Sequence, residues 1–104
     1  DYKESFYHAF LAGLLSREGY KVESNYENGL GRPDIVVKDR KNRRSAVIET
    51  KITDSENKMV SACENALEQI AEKQYADAIK KAGYKHVITF GIAFYQKQCC
   101  VKKA

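Results

Sequence analysis

Two short apolar runs, Ile35-Val36-Val37 and Ala46-Val47-Ile48, flank a polar segment from Asp39 to Ser45. Runs rich in β-branched residues and bounded by polar turn residues read as strands, and so short a connection makes them antiparallel neighbours. The ends of this pair constrain the fold most. The first run opens on Pro33-Asp34, and the second continues straight into Glu49-Thr50-Lys51. Proline fixes φ and donates no hydrogen bond, which suits a strand start or a bulge and little else. Charged groups at the ends of core strands are costly unless something uses them.

The rest of the chain supplies a frame for that pair. From Glu4 to Glu18, Phe6, Phe10, Leu11, Leu14 and Leu15 recur at three- and four-residue spacing, which predicts an amphipathic helix ended by Gly19. Tyr20 to Tyr26 alternates as a first strand, and Asn28-Gly29-Leu30-Gly31 is a turn. Asp34 to Lys38 and Ala46 to Ile52 are the second and third strands. One long helix is then expected, from a Thr-x-x-Glu capping box at Thr53 to Gly83. Its buried stripe is Met59, Cys63, Leu67, Ile70, Ala71 and Ala78; a second, small-residue face carries Ala62, Ala66, Gln69, Lys73 and Ala76. His86 to Phe94 is apolar on both faces and so a central strand, and Gln98 to Lys102 is a short last one. The order αβββαββ, with the long helix as a crossover, predicts an α/β fold: a mixed sheet flanked by helices.

At 104 residues the chain holds one domain. It opens on Asp1 rather than Met, which suggests a domain, residues 1–104, excised from a larger parent. No apolar run approaches the roughly 20 residues that cross a bilayer, and no signal peptide is visible, so no membrane partner is expected. The net charge of +4 is mild. Lys38, Arg40, Lys41, Arg43 and Arg44 nevertheless crowd into one connection, either as a solvated turn or as a contact to a phosphate backbone. Cys63, Cys99 and Cys100 lack metal-ligand spacing and read as thiols in a reducing cytoplasm. His8 and His86 have no companion at ligand spacing, so no zinc site is expected.

Strand side chains alternate, so Glu49 and Lys51 share a face, about 7 Å apart along the strand. If the antiparallel register allows it, Asp34 faces Glu49 and two carboxylates converge. Such a pair repels unless a cation lies between, and a hard oxygen site with few protein ligands suits Mg²⁺ or Mn²⁺. The carbonyl of Thr50 is a candidate third ligand. Lys51, beside the metal, can help activate a water and offset charge growing on a phosphate. The parts fit metal-assisted phosphodiester hydrolysis. The plainer reading makes Asp34 a turn residue and Glu49 with Lys51 a strand-end ion pair.

Pro33-Asp34 followed by Glu49-Thr50-Lys51 resembles the signature of the PD-(D/E)XK nuclease superfamily. GRPDIVV, AVIETK, ALEQIAEKQYADAIKKAGY and GIAFYQKQCCV resemble one branch, the nuclease-like domain at the C-terminus of bacterial AAA-ATPase-like proteins. The resemblance implies a restriction-endonuclease-like core and a metal-dependent deoxyribonuclease. It implies Asp34 and Glu49 as metal ligands, Lys51 as catalytic lysine, Gln69 as a further catalytic residue, and Lys73 and Tyr75 as nucleic-acid contacts. It also offers Glu4 as an acidic residue near the metal, although a surface-edge role fits that residue equally. DNA and an N-terminal ATPase module are the implied partners. The alternative is a catalytically inactive nucleic-acid-binding or regulatory module of such a protein. ATP binding is not expected here, because Gly29-Leu30-Gly31-Arg32 lacks the ending of a phosphate loop.

Overall fold

The structure, a computed structural model, describes residues 4–16, 19–25 and 32–104, with the side chain of Glu4 outside them. The elements are α1 (Glu4–Ser16), β1 (Lys21–Ser24), β2 (Ile35–Asp39), β3 (Arg44–Ile52), a 3₁₀ turn (Glu56–Lys58), α2 (Met59–Glu72), α3 (Tyr75–Lys81), β4 (His86–Tyr95) and β5 (Gln98–Lys103). Among the described residues the strands form one mixed sheet in chain order. Every neighbouring pair is antiparallel except β3 and β4. That one parallel pair follows from the connection, since a helical crossover carries the chain back to the end of the sheet at which β3 began. The turn predicted at residues 28–31 lies outside the described residues. No helix among those described is long and apolar enough to cross a membrane.

Alternation gives the sheet two faces. On one, Ile35, Val37, Ile48, Ile92 and Phe94 pack under Tyr7 of α1. On the other, Val47 packs with Ile70 and Tyr75, and Ala93 with Met59 and Cys63. The first helix is rotated from its expected orientation. Phe6, Phe10 and Leu14 are about half exposed, at 49%, 57% and 50%, while Tyr7 and His8 are buried and Leu11 and Leu15 partly so. Residues 7, 8, 11 and 15 satisfy the same spacing, and specific contacts choose among the faces. The Tyr7 ring stacks on Phe94 at 4.1 Å, and His8 bonds Thr50 from beneath the sheet.

The expected single long helix is two helices. Gln74 stands between them at φ 56°, in the left-handed region. The capping box does not form either: the Thr53 hydroxyl donates to the Ser55 carbonyl, and a 3₁₀ turn precedes α2. In an unbroken helix Ile70 and Tyr75 would point about 140° apart. With the break, both pack on Val47. That packing offsets the left-handed residue, which costs roughly 1–2 kcal/mol for a side chain with a Cβ.

The helix α2 lies close on β4 because the contact is built from small groups. Ala66 is fully buried, and a Cβ at Gly91 would fall 2.4 Å from the Cys63 carbonyl oxygen and 3.1 Å from the Ala66 Cβ. The obstacle is helix backbone, which cannot swing aside. Gly91→Ala is therefore expected to destabilise the fold by about 1–3 kcal/mol in urea unfolding. Gly13→Ala, in the last turn of α1 with nothing within 4 Å of the added methyl, is expected to stabilise by up to about 1 kcal/mol. Equal effects at the two sites would show that close backbone approach does not dictate the glycine in β4.

Candidate active site

The pairing of Ile35 with Ile48 sets Asp34 opposite Glu49 and Pro33 opposite Thr50. A regular ladder would have Pro33 and Thr50 exchange hydrogen bonds, but Pro33 has no N–H to donate. The ladder is completed differently. The Thr50 N–H donates to Asp34 Oδ2 at 2.9 Å, and the Thr50 hydroxyl donates to the same oxygen at 3.1 Å. The Pro33 carbonyl accepts instead from the Asn25 amide at 2.9 Å. The N–H and C=O of a strand residue point to the same neighbour, so the Thr50 carbonyl also faces the Pro33 side.

Glu49 closes the pair from above. Its Oε1 accepts the Asp34 N–H at 2.9 Å, and the residue is only 2% exposed. Burial, reinforced by the negative charge of Asp34, pushes the Glu49 carboxyl up to about 7. Asp34 moves the other way. Burial would raise it, but hydrogen bonds from His8 and from the Thr50 N–H and hydroxyl outweigh burial and hold it below the usual carboxylate range. Two adjacent carboxyls with separated proton affinities are a common mark of functional sites.

Lys51 shares the Glu49 face and donates from Nζ to Gln69 Oε1 at 2.7 Å. The Tyr75 hydroxyl lies against the same amide. Burial first, and then the charge of Glu49, push its pKa up, while a hydrogen bond with Gln69 pulls it down. A line of polar groups thus runs from Lys51 through Gln69 to Tyr75 on the α2–α3 side. Gln69 and Tyr75 would point about 120° apart in one continuous helix, so the break at Gln74 is what brings them together.

The structure gathers Asp34, Glu49, Thr50, Lys51 and Gln69 in one place. Tyr75, expected as a nucleic-acid contact, joins them as a buried group, 5% exposed. Lys73 is exposed at the end of α2. Arg40, Lys41, Arg43 and Arg44 lie at the other end of β2, about 17 Å from Asp34 along the strand. Arg44 is tied to Asp39 at 2.7 Å. The expectation for Glu4 lies outside the described side chains. His8 was not expected. It is 2% exposed, 2.9 Å from the Thr50 hydroxyl and 3.7 Å from Asp34 Oδ2. No local pattern signals it, because its partner lies 42 residues away across the sheet.

The donors fit a hard divalent cation. They are two carboxylates, one driven toward neutrality by burial and then by the charge of the other, and a strand carbonyl that Pro33 cannot serve. Among the described residues no three His, Cys, Asp or Glu side chains cluster to cage a metal. A site of few protein ligands and several waters is what Mg²⁺ prefers.

A sequence profile described as the PD-(D/E)XK nuclease superfamily matches residues 2–104. Among solved structures, the chain is similar to Hjc, a Holliday junction resolvase from the archaeal hyperthermophile Archaeoglobus fulgidus. The TM-score is 0.57 at 13% identity, covering 93% of this chain and 72% of that one. At that identity the likeness is one of fold, and the mixed sheet between helices is restriction-endonuclease-like. No curated protein matches.

The raised Glu49 carboxyl predicts a pH dependence. Between its ordinary value of 4.5 and about 7, the folded protein keeps a proton that the unfolded chain has released. Stability of the metal-free protein should therefore fall as pH rises through that window, by on the order of 3 kcal/mol. Asp34 contributes with the opposite sign and only at lower pH, because its carboxyl is depressed. Urea unfolding in chelator at pH 5 and pH 8 should show the fall for the parent protein and a flatter profile for Glu49→Gln. An equally steep fall in the variant would assign the titration to another group.

Proposed function

The chain belongs to the PD-(D/E)XK nuclease superfamily, and from that premise we propose that it hydrolyses phosphodiester bonds in DNA with the help of a divalent cation. The observation that carries this reading is the register that sets Asp34 opposite Glu49. Asp34, Glu49 and the Thr50 carbonyl would hold Mg²⁺ or Mn²⁺, with Glu4 as a further acidic candidate. When bound, such an ion polarises a phosphoryl oxygen and lowers the pKa of a coordinated water. The protein's own groups do the remaining work. Lys51 presents an ammonium that can orient the attacking water and offset charge on the phosphate. Gln69 fixes where that ammonium stands, and Tyr75 fixes the Gln69 amide. His8 and Thr50 hold the Asp34 carboxylate from the opposite face.

The basic turn fits a secondary role. Its distance of about 17 Å from Asp34 corresponds to about five nucleotides of a strand at 3.4 Å each. A DNA strand running along β2 would meet Asp34 at one end and Arg40, Lys41 and Arg43 at the other, with Arg44 already committed to Asp39. Lys73 would meet a phosphate beside the site. The free thiols Cys63, Cys99 and Cys100 suit a reducing cytoplasm.

One observation favours a second reading. Phe6, Phe10 and Leu14 form a half-exposed apolar stripe on α1, a surface on which another protein module can dock. On this reading the domain is a catalytically inactive regulatory or nucleic-acid-binding part of a larger AAA-ATPase-like protein.

Incubation with linear, single-stranded and branched DNA in Mg²⁺ separates the two. The hydrolase reading expects cleavage that chelator abolishes. Asp34→Ala, Glu49→Ala and Lys51→Ala should each lower it at least about 100-fold. Gln69→Ala, acting through Lys51, should lower it about 10- to 100-fold. Equal cleavage by the parent and all variants would mean a contaminating nuclease. Salt-dependent DNA binding without metal, and no cleavage of any form, would favour the regulatory reading.

A further inference from the structure

A groove of about 450 Å³ opens beside the carboxylate pair, on the same face of the sheet as Lys51 and Gln69. It begins at Arg32 and Pro33, adjoining Asp34, and follows β2 to Lys38. That is about 13 Å of strand from Asp34. Its size falls within the range of about 300–1,000 Å³ typical of small-molecule pockets.

The walls differ in chemistry. Val36, 3% exposed, is the floor, and Ala78 and Ile79 of α3 form an aliphatic side. Tyr75 lines the end nearest the carboxylates. The opposite side is β1, where Glu23 bridges two cations, Lys38 at 3.2 Å and Lys21 at 3.5 Å. Lys21 stands outside the lining, so Glu23 and Lys38 balance along the wall, and the exposed Arg32 at the mouth leaves the rim net positive. An apolar slot with a cationic rim is complementary to a nucleotide: a flat base that stacks against carbon, and a phosphate that stays outside.

We propose that this groove takes one unpaired nucleotide of the substrate strand, next to the phosphate presented to Asp34 and Glu49. The assignment rests on the reading of the site as a DNA hydrolase and narrows its substrate class. A base held in a duplex must leave its stack to enter the slot. The cost is a few kcal/mol for a paired base and least for one already unpaired. The groove therefore selects gaps, loops, flaps and single strands over uninterrupted duplex.

The test is a binding measurement on the complete chain without metal, so that it does not depend on turnover. A duplex carrying a one-nucleotide gap opposite 2-aminopurine is compared with the same sequence fully paired. The parent protein is expected to bind the gapped DNA at least 10-fold more tightly and to change the probe's fluorescence. Ala78→Trp fills the slot from an exposed position. It should bring gapped DNA down to the duplex level, while duplex binding stays within twofold. Arg32→Ala, at the mouth, should weaken gapped DNA in the same sense, which keeps the test decisive if the tryptophan variant fails to fold. Equal affinity of the parent for both DNAs, or a preference that survives in both variants, would overturn the proposal. A preference for gapped DNA that the parent shows and both variants lose, in a protein that cleaves nothing, would remove the hydrolase reading and leave the groove standing. Cleavage of all DNA forms without preference would do the reverse.

Discussion

The site depends on one missing hydrogen-bond donor. Opposite Thr50 the ladder needs an N–H, and Pro33 has none. The strand pairing therefore stops one residue short, and the space is taken by a side chain. Asp34 Oδ2 receives both the N–H and the hydroxyl of Thr50. Any other residue at position 33 has a donor that can extend the ladder, which would leave the Asp34 carboxylate no backbone slot to occupy. The same absence turns the Thr50 carbonyl into an acceptor without a strand partner on that side. A single imino acid thus fixes where one carboxylate sits and leaves a second oxygen donor beside it.

The two faces of the sheet support that point by different means. From the α1 side, His8 reaches Thr50 and locks the hydroxyl that donates to Asp34. From the α2–α3 side, Gln69 accepts from Lys51 and meets Tyr75. These contacts explain local structure that propensity does not. Helix α1 exposes three large apolar side chains so that Tyr7 and His8 can face the sheet. The helical connection accepts a left-handed Gln74 so that Tyr75 can return to Val47.

These are also the places where sequence and structure part company. The five strands were legible because β-branched runs alternate with polar turns, and their bounds move by only one or two residues. The Asp34–Glu49 meeting was legible as a conditional, since two antiparallel strands joined by a short turn leave few registers. The helix break was not, because Lys73-Gln74 contains neither glycine nor proline and both flanking segments keep an apolar stripe. The rotation of α1 was not, because two faces satisfy the same spacing and only the stacking of Tyr7 on Phe94 decides between them. His8 was invisible for a related reason: a contact between elements on opposite sides of a strand leaves no pattern along the chain.

Two features of this fold are unfavourable in isolation. A carboxyl buried against another carboxylate is held at about 7, and a residue with a Cβ sits at positive φ. Each costs on the order of 1–3 kcal/mol in a molecule whose whole stability is about 5–15 kcal/mol. If such costs arose from imperfect packing, they would have no reason to share a location. Here they converge, since Gln74 delivers Tyr75 to the amide that holds Lys51, and Lys51 stands on the strand face of Glu49. On the proposed function, a cation between Asp34 and Glu49 would relieve the first, while the packing of Tyr75 on Val47 offsets the second. A plain strand-end ion pair has no use for a broken helix, a proline-capped ladder and a buried histidine on the far face. The function proposed for this site, holding a cation and a phosphate, would use all three.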